Sequence, residues 1–446
     1  MRVEDTHGSS RHGSGAVSPL IGTDLRRGDV DSTNERSTPR TTTLPGTRIS
    51  TTATRTTTTR TTTTGLAPSA NEFDAGHAEF SFEDLVVAYL DCRKNKRNTH
   101  TAVAFEQDLE RNLARLYGDL ADGSYLPGPS ICFIITRPKA REVWAADFRD
   151  RIVHHLLYNR VAPRFYARFI ADTCACIPGR GTLYAAQRLE AKIRSITQNW
   201  TRPAFYLKCD LANFFVSIDK RVVREQLAAR ITEPWWMALA DTVLFHDPRV
   251  GASIQSTPTL MARVPAHKRL TNQADHCGLP IGNLSSQFFA NVYLDALDQH
   301  CKHQVRARHY IRYVDDFILL HESPQWLNSA HDDIEAFLPR ELGVRLNPSK
   351  TVLQPVDRGV DFVGHVIKPH SRTVRRRSVR VALERVGRMA GEDLYRSANS
   401  YFGLLRQSPQ SHTDRARLAN VLRSRGLTID KHFTKTYRTK EVSHER

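Results

Sequence analysis

The spacing of apolar residues becomes regular at about residue 81 and stays regular into the C-terminal part of the chain. The polar, irregular stretches 121–130 and 241–277 are predicted to be loops, and the second is long. Helical spacing is found in five stretches, which are 105–116, 151–165, 288–300, 379–394 and 418–422. A strand is predicted at 131–137, so the pattern indicates an α+β chain.

A second strand is predicted at 205–210, FYLKCD, because its residues alternate between two faces. The alternation places Phe205, Leu207 and Cys209 on one face and Tyr206, Lys208 and Asp210 on the other. The strand therefore ends in a carboxylate that lies on its more polar face.

Two adjacent carboxylates, Asp315 and Asp316, lie between apolar runs in IRYVDDFILLH, residues 311–321. The runs predict a β-hairpin with both aspartates at its turn, where Asp is a favoured residue type. Neighbouring carboxylates repel each other, and bound cations relieve that repulsion. Two-metal phosphoryl transfer needs carboxylates that converge from separate strands. Asp210, at the end of another strand, offers a third carboxylate beside Asp315 and Asp316. The residues alone leave two interpretations open, a metal site and a structural hairpin turn.

Charge is concentrated at the C-terminal end of the chain. The chain has 446 residues and a formal net charge of +17, and residues 368–446 alone hold nineteen basic and seven acidic side chains. A basic module beside a nearly neutral body suggests a bound polyanion such as nucleic acid. The alternative is a solvated, soluble surface.

The composition of the N-terminal segment, the cysteines and the lack of long apolar stretches indicate what kind of protein this is. Residues 1–75 are rich in Thr, Ser and Arg and carry too little apolar surface to offset their ordering entropy, so we predict a disordered tail. The seven cysteines are scattered without a CxxC pair, which favours reduced thiols in a cytoplasmic protein. No stretch has the length and apolarity of a transmembrane helix, so no membrane partner is expected.

Six motifs follow one another along the chain. They are RPKAREVWAADFRDRIVHH (137–155), KCDLANFFVSID (208–219), GLPIGNLSSQFFANVYLD (278–295), YVDD (313–316), LNPSKT (346–351) and VDFVGHVI (360–367). Their sequences and their order resemble the bacterial reverse transcriptases, including relatives encoded by retrons and group II introns. The resemblance covers roughly residues 85–425 and implies a right-hand polymerase fold. Fingers and palm, an antiparallel sheet with helices, would occupy 80–370, and a basic helical thumb would occupy 371–446.

The resemblance implies an RNA-directed DNA polymerase that uses an RNA template, a DNA or RNA primer and dNTPs. Asp210, Asp315 and Asp316 would bind two Mg²⁺ ions, with Mn²⁺ as the alternative ion. Lys350 would protonate the pyrophosphate leaving group, although an exposed lysine is ordinarily just solvated.

The same resemblance implies a set of contacts to the incoming nucleotide. Cationic side chains in the fingers would contact the triphosphate, and an aromatic residue under the sugar would exclude a 2′-hydroxyl group. Without the resemblance, the cations are a solvated basic loop and the aromatic residue belongs to the core. The implied contacts are Lys139, Arg141, Leu211, Phe215, Ile281, Gly282 and Gln287.

One departure from the common bacterial motif points to a subtype. In the motif at 278–295, most bacterial relatives have Gln-Gly, then any three residues, then Ser-Pro. This chain has IGNLSSQ at 281–287, with Ile281 in place of Gln and Gln287 in place of Pro. The segment IGNLSSQ resembles the enzymes of diversity-generating retroelements, which implies error-prone copying, chiefly opposite template adenines, and a small accessory protein. A retron-like or phage-defence reverse transcriptase stays open, as does an inactive basic RNA-binding scaffold.

Overall fold

The computed structural model describes residues 79–94, 99–137 and 139–437, and all of them belong to one compact unit. The tail predicted at 1–75 lies outside these residues. No helix of the described part of the chain is long and apolar enough to cross a membrane. All seven cysteines lie in the described part, and no disulfide bond joins any two of them.

Fourteen α-helices form about half of the described chain. The first eight are α1 Phe82–Arg93, α2 His100–Glu106, α3 Leu109–Ala121, α4 Phe148–Tyr166, α5 Thr182–Ile196, α6 Phe214–Ser217, α7 Lys220–Ala228 and α8 Pro234–Phe245. The others are α9 Pro258–Met261, α10 Leu284–His303, α11 Pro324–Glu341, α12 Arg376–Arg388, α13 Gly391–Arg406 and α14 His412–Arg423.

Twelve strands form four small sheets in the described chain. The first six are β1 Ile131–Ile135, β2 Arg141–Ala145, β3 Phe205–Asp210, β4 Ser253–Ile254, β5 His309–Tyr313 and β6 Asp316–His321. The others are β7 Val352–Pro355, β8 Val360–Phe362, β9 His365–Lys368, β10 Ser371–Val374, β11 Thr428–Ile429 and β12 Thr436–Tyr437. Mixed helices and mainly antiparallel sheets confirm the predicted α+β class.

A four-stranded antiparallel sheet, in the order β5-β6-β3-β7, lies at the centre of the described chain. Alternation along β3 separates its faces as predicted. Leu207 and Cys209 pack into the large core cluster with α4, α10 and α11, whereas Tyr206 packs into a second cluster with α5. Both faces are therefore buried, which leaves the ends of the strands as the accessible part of the sheet.

A second sheet joins the β1-β2 hairpin to β4, which pairs with β1 in parallel. This pairing corrects the prediction of one long loop at 241–277. Residues 241–245 complete α8, and the rest contains β4, α9 and two 3₁₀ turns. Leu270 packs on Cys132 and Trp144, so this segment is anchored by its own small apolar cluster.

The C-terminal part contains the β8-β9-β10 sheet followed by α12, α13 and α14, which share one apolar cluster. The single helix predicted over 379–394 is wrong, because Met389 and Ala390 are extended and Gly391 has φ of +58°. The helix predicted over 105–116 is likewise divided, since Asp108 is not helical. The boundaries of fingers, palm and thumb remain a prediction.

Candidate active site

Three aspartates meet at one end of the central sheet. Asp210, the last residue of β3, lies directly opposite Asp316, the first residue of β6. Asp315 precedes it in the turn between β5 and β6, and its carbonyl accepts a hydrogen bond from Leu211 N at 3.3 Å. The predicted turn therefore contains Asp315 with Val314, and Asp316 already belongs to the strand.

The surroundings of Asp315 and Asp316 disfavour a negative charge on their carboxylates. Asp210 is 2% exposed and Asp316 is 9% exposed. Burial, with further contributions from Asp210 and Asp316, raises the pKa of Asp315 to about 7. Burial also raises the pKa of Asp316, although Lys208 opposes that shift. Buried oxygen donors that repel each other suit a hard divalent cation, so the residues present fit the expected magnesium site.

Two lysines partly neutralise the three aspartates. Lys350 Nζ lies 2.5 Å from Asp210 Oδ1, and Lys208 Nζ lies 3.3 Å from Asp316 Oδ2. Lys350 is positioned by a loop in which Asn347 N donates to the carbonyl of Asp210 at 2.8 Å. Sequence reasoning missed Lys208 as part of the site. The sequence did contain a clue to Lys208. It lies two residues before Asp210 and therefore on the same face of β3.

Lys139 and Arg141 lie at the β1-β2 hairpin. Lys139 is exposed and Arg141, the first residue of β2, is half-buried. Partial burial lowers the pKa of Lys139, and the charge of Lys350 lowers it further while that of Asp210 raises it. The β1-β2 hairpin therefore lies close enough to Lys350 and Asp210 for their charges to act on Lys139.

Residues 278–283 run between the β1-β2 hairpin and the segment that follows β3. Leu279 N donates to the carbonyl of Phe215, and Trp144 N donates to the carbonyl of Ile281, both at 2.8 Å. Gly282 has φ of +128°, and a Cβ atom there would lie 2.8 Å from Val143 Cγ1. The close approach of β2 thus requires glycine at this position.

The remaining residues of the predicted nucleotide site differ in how accessible they are. Phe215 is half-buried and its ring packs edge-on against Phe214, with the centroids 5.3 Å apart. Gln287 is half-buried in the first turns of α10. The Leu211 side chain is 2% exposed, so only its backbone is available to a ligand.

A different group of side chains is the most compact potential ligand set in the described chain. Ligand atoms of His331, Asp332 and Glu335 on α11 all lie within 4.8 Å of one another. The Asp332 side chain is 79% exposed and Glu335 is 62% exposed. Exposed acidic side chains one turn apart are common without an ion, so we assign no metal to them.

The family model for reverse transcriptase (RNA-dependent DNA polymerase) matches residues 137–367. This range includes every residue of the predicted catalytic and nucleotide sites. The chain belongs to the reverse transcriptase family, and the prediction of an RNA-directed DNA polymerase is confirmed at that level.

Individual relatives are distant. Protein YkfC of Escherichia coli (strain K12) is 22% identical over 318 residues, which cover 64% of this chain and 75% of that protein. Nuclear intron maturase 1, mitochondrial, of Arabidopsis thaliana is 21% identical over 314 residues, 52% of this chain and 42% of that one. The apo telomerase of Candida tropicalis, truncated from its C-terminal domain, has a TM-score of 0.40 at 12% identity, with 54% of each chain covered.

Proposed function

We propose that this protein extends a primer on an RNA template, with Asp210, Asp315 and Asp316 as the carboxylates that hold two divalent ions. The observation that carries the proposal is the register of β3 against β6, which sets Asp210 opposite Asp316 beside the Asp315 turn. Bound ions of this kind activate an attacking hydroxyl group and stabilise the leaving oxygen.

The side chains around the aspartates have complementary roles in this proposal. Lys350, held against Asp210, supplies a proton to the departing pyrophosphate. Lys139 and Arg141, at the β1-β2 hairpin, bind the phosphates of the incoming dNTP as cations. Phe215 lies under the sugar and excludes a 2′-hydroxyl group.

The direct test replaces one carboxylate without changing its size. Asp315→Asn is expected to lower the rate of primer extension at least about 1000-fold, because bound metal ions supply several kcal/mol of charge stabilisation. The matched control is Asp332→Asn on α11, which removes an exposed aspartate from the other acidic group. It should extend primers at the wild-type rate.

Two companion measurements make the result decisive. Both variants should keep the wild-type melting temperature within a few degrees and bind the RNA–primer duplex normally. Full extension by folded Asp315→Asn would reject the assignment of the three aspartates. Loss of activity in Asp332→Asn alone would move the metal site to α11.

We further propose that copying is error-prone, as in a diversity-generating retroelement. Ile281 supports this proposal because its aliphatic side chain, in the segment clamped between β2 and Phe215, cannot hydrogen-bond the sugar or bases. Sequenced extension products should carry errors concentrated opposite template adenines. Accurate products would favour a retron-like or phage-defence enzyme with the same chemistry.

The partners we propose are an RNA template, a DNA or RNA primer, dNTPs and a small accessory protein, in a bacterial cytoplasm. The basic helix α12 supports a thumb that grips the duplex backbone, because phosphate contacts require exposed cations. Its exposed arginines are Arg376, Arg377, Arg380, Arg385 and Arg388. The absence of a disulfide bond among the seven cysteines agrees with a reducing compartment.

A further inference from the structure

A fully buried ion pair lies directly behind the Asp315 turn. Arg312 of β5 and Asp298 of α10 are both 0% exposed. The guanidinium donates to the carboxylate through two bonds, Nε to Oδ1 at 2.7 Å and Nη2 to Oδ2 at 2.6 Å. Tyr310 and Thr173 donate their hydroxyl groups to the same carboxylate at 2.7 and 2.6 Å. Each carboxylate oxygen therefore accepts two hydrogen bonds.

The turn that this pair supports has an unfavourable backbone conformation. Val314 has φ of +57°, a region that β-branched residues rarely adopt and that glycine adopts freely. Strained residues of this kind persist only where the surrounding structure holds them. The next residue is Asp315, so the conformation of Val314 sets the direction of the Asp315 side chain.

Arg312 is the side chain that holds this turn. Its Nη1 donates to the carbonyl of Val314 at 3.0 Å and lies 3.3 Å from Asn291 Oδ1 on α10. One guanidinium thus joins the strained turn to two positions on α10, the helix that begins directly after residues 278–283.

Stability alone does not account for such a pair. Removing two charges from water costs free energy that their attraction barely recovers, and apolar residues of similar volume often stabilise a fold as well. A buried pair is more readily explained where it specifies one geometry. Here it specifies the conformation of the residue before Asp315.

We propose that Arg312 is a positioning residue that, through its pair with Asp298, holds Val314 in the left-handed conformation and thereby directs Asp315 toward Asp210 and Asp316. The turn is then ordered before any metal ion or nucleotide binds. The inference rests on the proposed role of the three aspartates, and its test includes a measurement on the metal-free protein.

The test compares Arg312→Lys, Val314→Gly and the double variant in the full chain. Lysine keeps the charge but loses the planar fork, so it cannot bind Asp298 and the Val314 carbonyl together. Arg312→Lys should slow single-turnover extension about 10- to 100-fold, as expected for a misplacement of about 1 Å, with primer–template affinity unchanged. Hydrogen exchange in residues 311–318 of the metal-free protein should accelerate.

The double variant distinguishes positioning from packing. Glycine adopts the conformation of Val314 without strain, so Val314→Gly should restore most of the rate lost in Arg312→Lys. The matched control is Arg164→Lys, which breaks a two-bond pair with Glu233, at 2.6 and 2.5 Å, away from the turn. It should leave the extension rate and the exchange of residues 311–318 unchanged.

Two results would overturn the proposal. One is an Arg312→Lys protein with the wild-type rate and wild-type exchange. The other is a slow Arg312→Lys protein that Val314→Gly does not rescue, because the loss would then reflect core packing. If Arg312→Lys does not fold, Asp298→Asn replaces it, with the same exchange signature and rescue expected. If the three aspartates are not the catalytic residues, Arg312→Lys should not slow primer extension. It should still accelerate hydrogen exchange in residues 311–318.

Discussion

Ile281 is the residue at which the proposal of error-prone copying can be tested most directly. Its backbone is fixed by the bond from Trp144 N, so a substitution alters the side chain with little effect on the segment. Ile281→Gln should lower the misincorporation rate about two- to tenfold, because one net hydrogen bond is worth about 0.5–1.5 kcal/mol. Sequencing of cDNA copied from a defined RNA measures it.

The control for this substitution is Ile281→Leu, which changes shape without adding a hydrogen-bonding group. It should keep the wild-type error spectrum. If Gln and Leu give the same spectrum as the wild type, the side chain at 281 does not determine fidelity.

His154 gives the folded state a dependence on pH. Burial in α4, followed by the charges of His155, His246 and Arg151, lowers the pKa of His154 to about 3, and its Nδ1 has no hydrogen-bond partner. Below about pH 6.5 the unfolded chain binds a proton at this residue that the folded chain does not bind. Acidification from pH 6.5 toward 3 therefore destabilises the protein through His154.

His154→Gln should weaken that dependence. The slope of unfolding free energy against pH should decrease by at most about 1.4 kcal/mol per pH unit between pH 6 and 4. Urea unfolding at several pH values measures it. Parallel curves for the wild type and the variant would show that His154 does not contribute.

At the scale of elements, the contact between β2 and residues 278–283 is sensitive to substitution. A methyl group in Gly282→Ala would lie 2.8 Å from Val143 Cγ1, at a φ of +128° that alanine avoids. Displacement of this segment should lower kcat/KM for dNTPs about 10- to 100-fold. Steady-state extension at varied dNTP concentration measures the loss.

Gly118→Ala in α3 is the matched control, because nothing lies within 4 Å of the added methyl group. It should stabilise the helix by about 0.5–1 kcal/mol and leave kcat/KM unchanged. A Gly282→Ala enzyme with the wild-type kcat/KM would show that the approach of β2 does not matter for nucleotide binding.

Element types were more predictable than element ends. The strand at 205–210 and the helix around 288–300 could be predicted because the spacing of apolar residues is regular along the whole of each element. Apolar spacing also continues across the breaks at Asp108 and at Met389–Ala390, since Phe105 and Leu113, like Val386 and Leu394, pack into the same cluster on both sides. The spacing of apolar residues indicates which residues are buried, but it does not indicate where a helix is interrupted.

At the scale of the whole molecule, the residues of the candidate site could be predicted only where they belong to recognisable sequence motifs. The three aspartates and Lys350 were found in this way, and the structure brings them together. The pairing of Arg312 with Asp298 was not found, because it depends on how α10 packs against β5. Val314 was also missed, since nothing in its residue type favours a positive φ.

Primer extension by the wild-type chain tests the central claim most directly. A defined RNA template, an annealed DNA primer, dNTPs and Mg²⁺ are supplied, with a parallel reaction in EDTA. The account predicts template-directed extension that requires the metal ion. A folded protein that binds the RNA–primer duplex yet leaves the primer unextended, with Mg²⁺ or Mn²⁺ and its native RNA supplied, would contradict it and identify a nucleic-acid-binding scaffold.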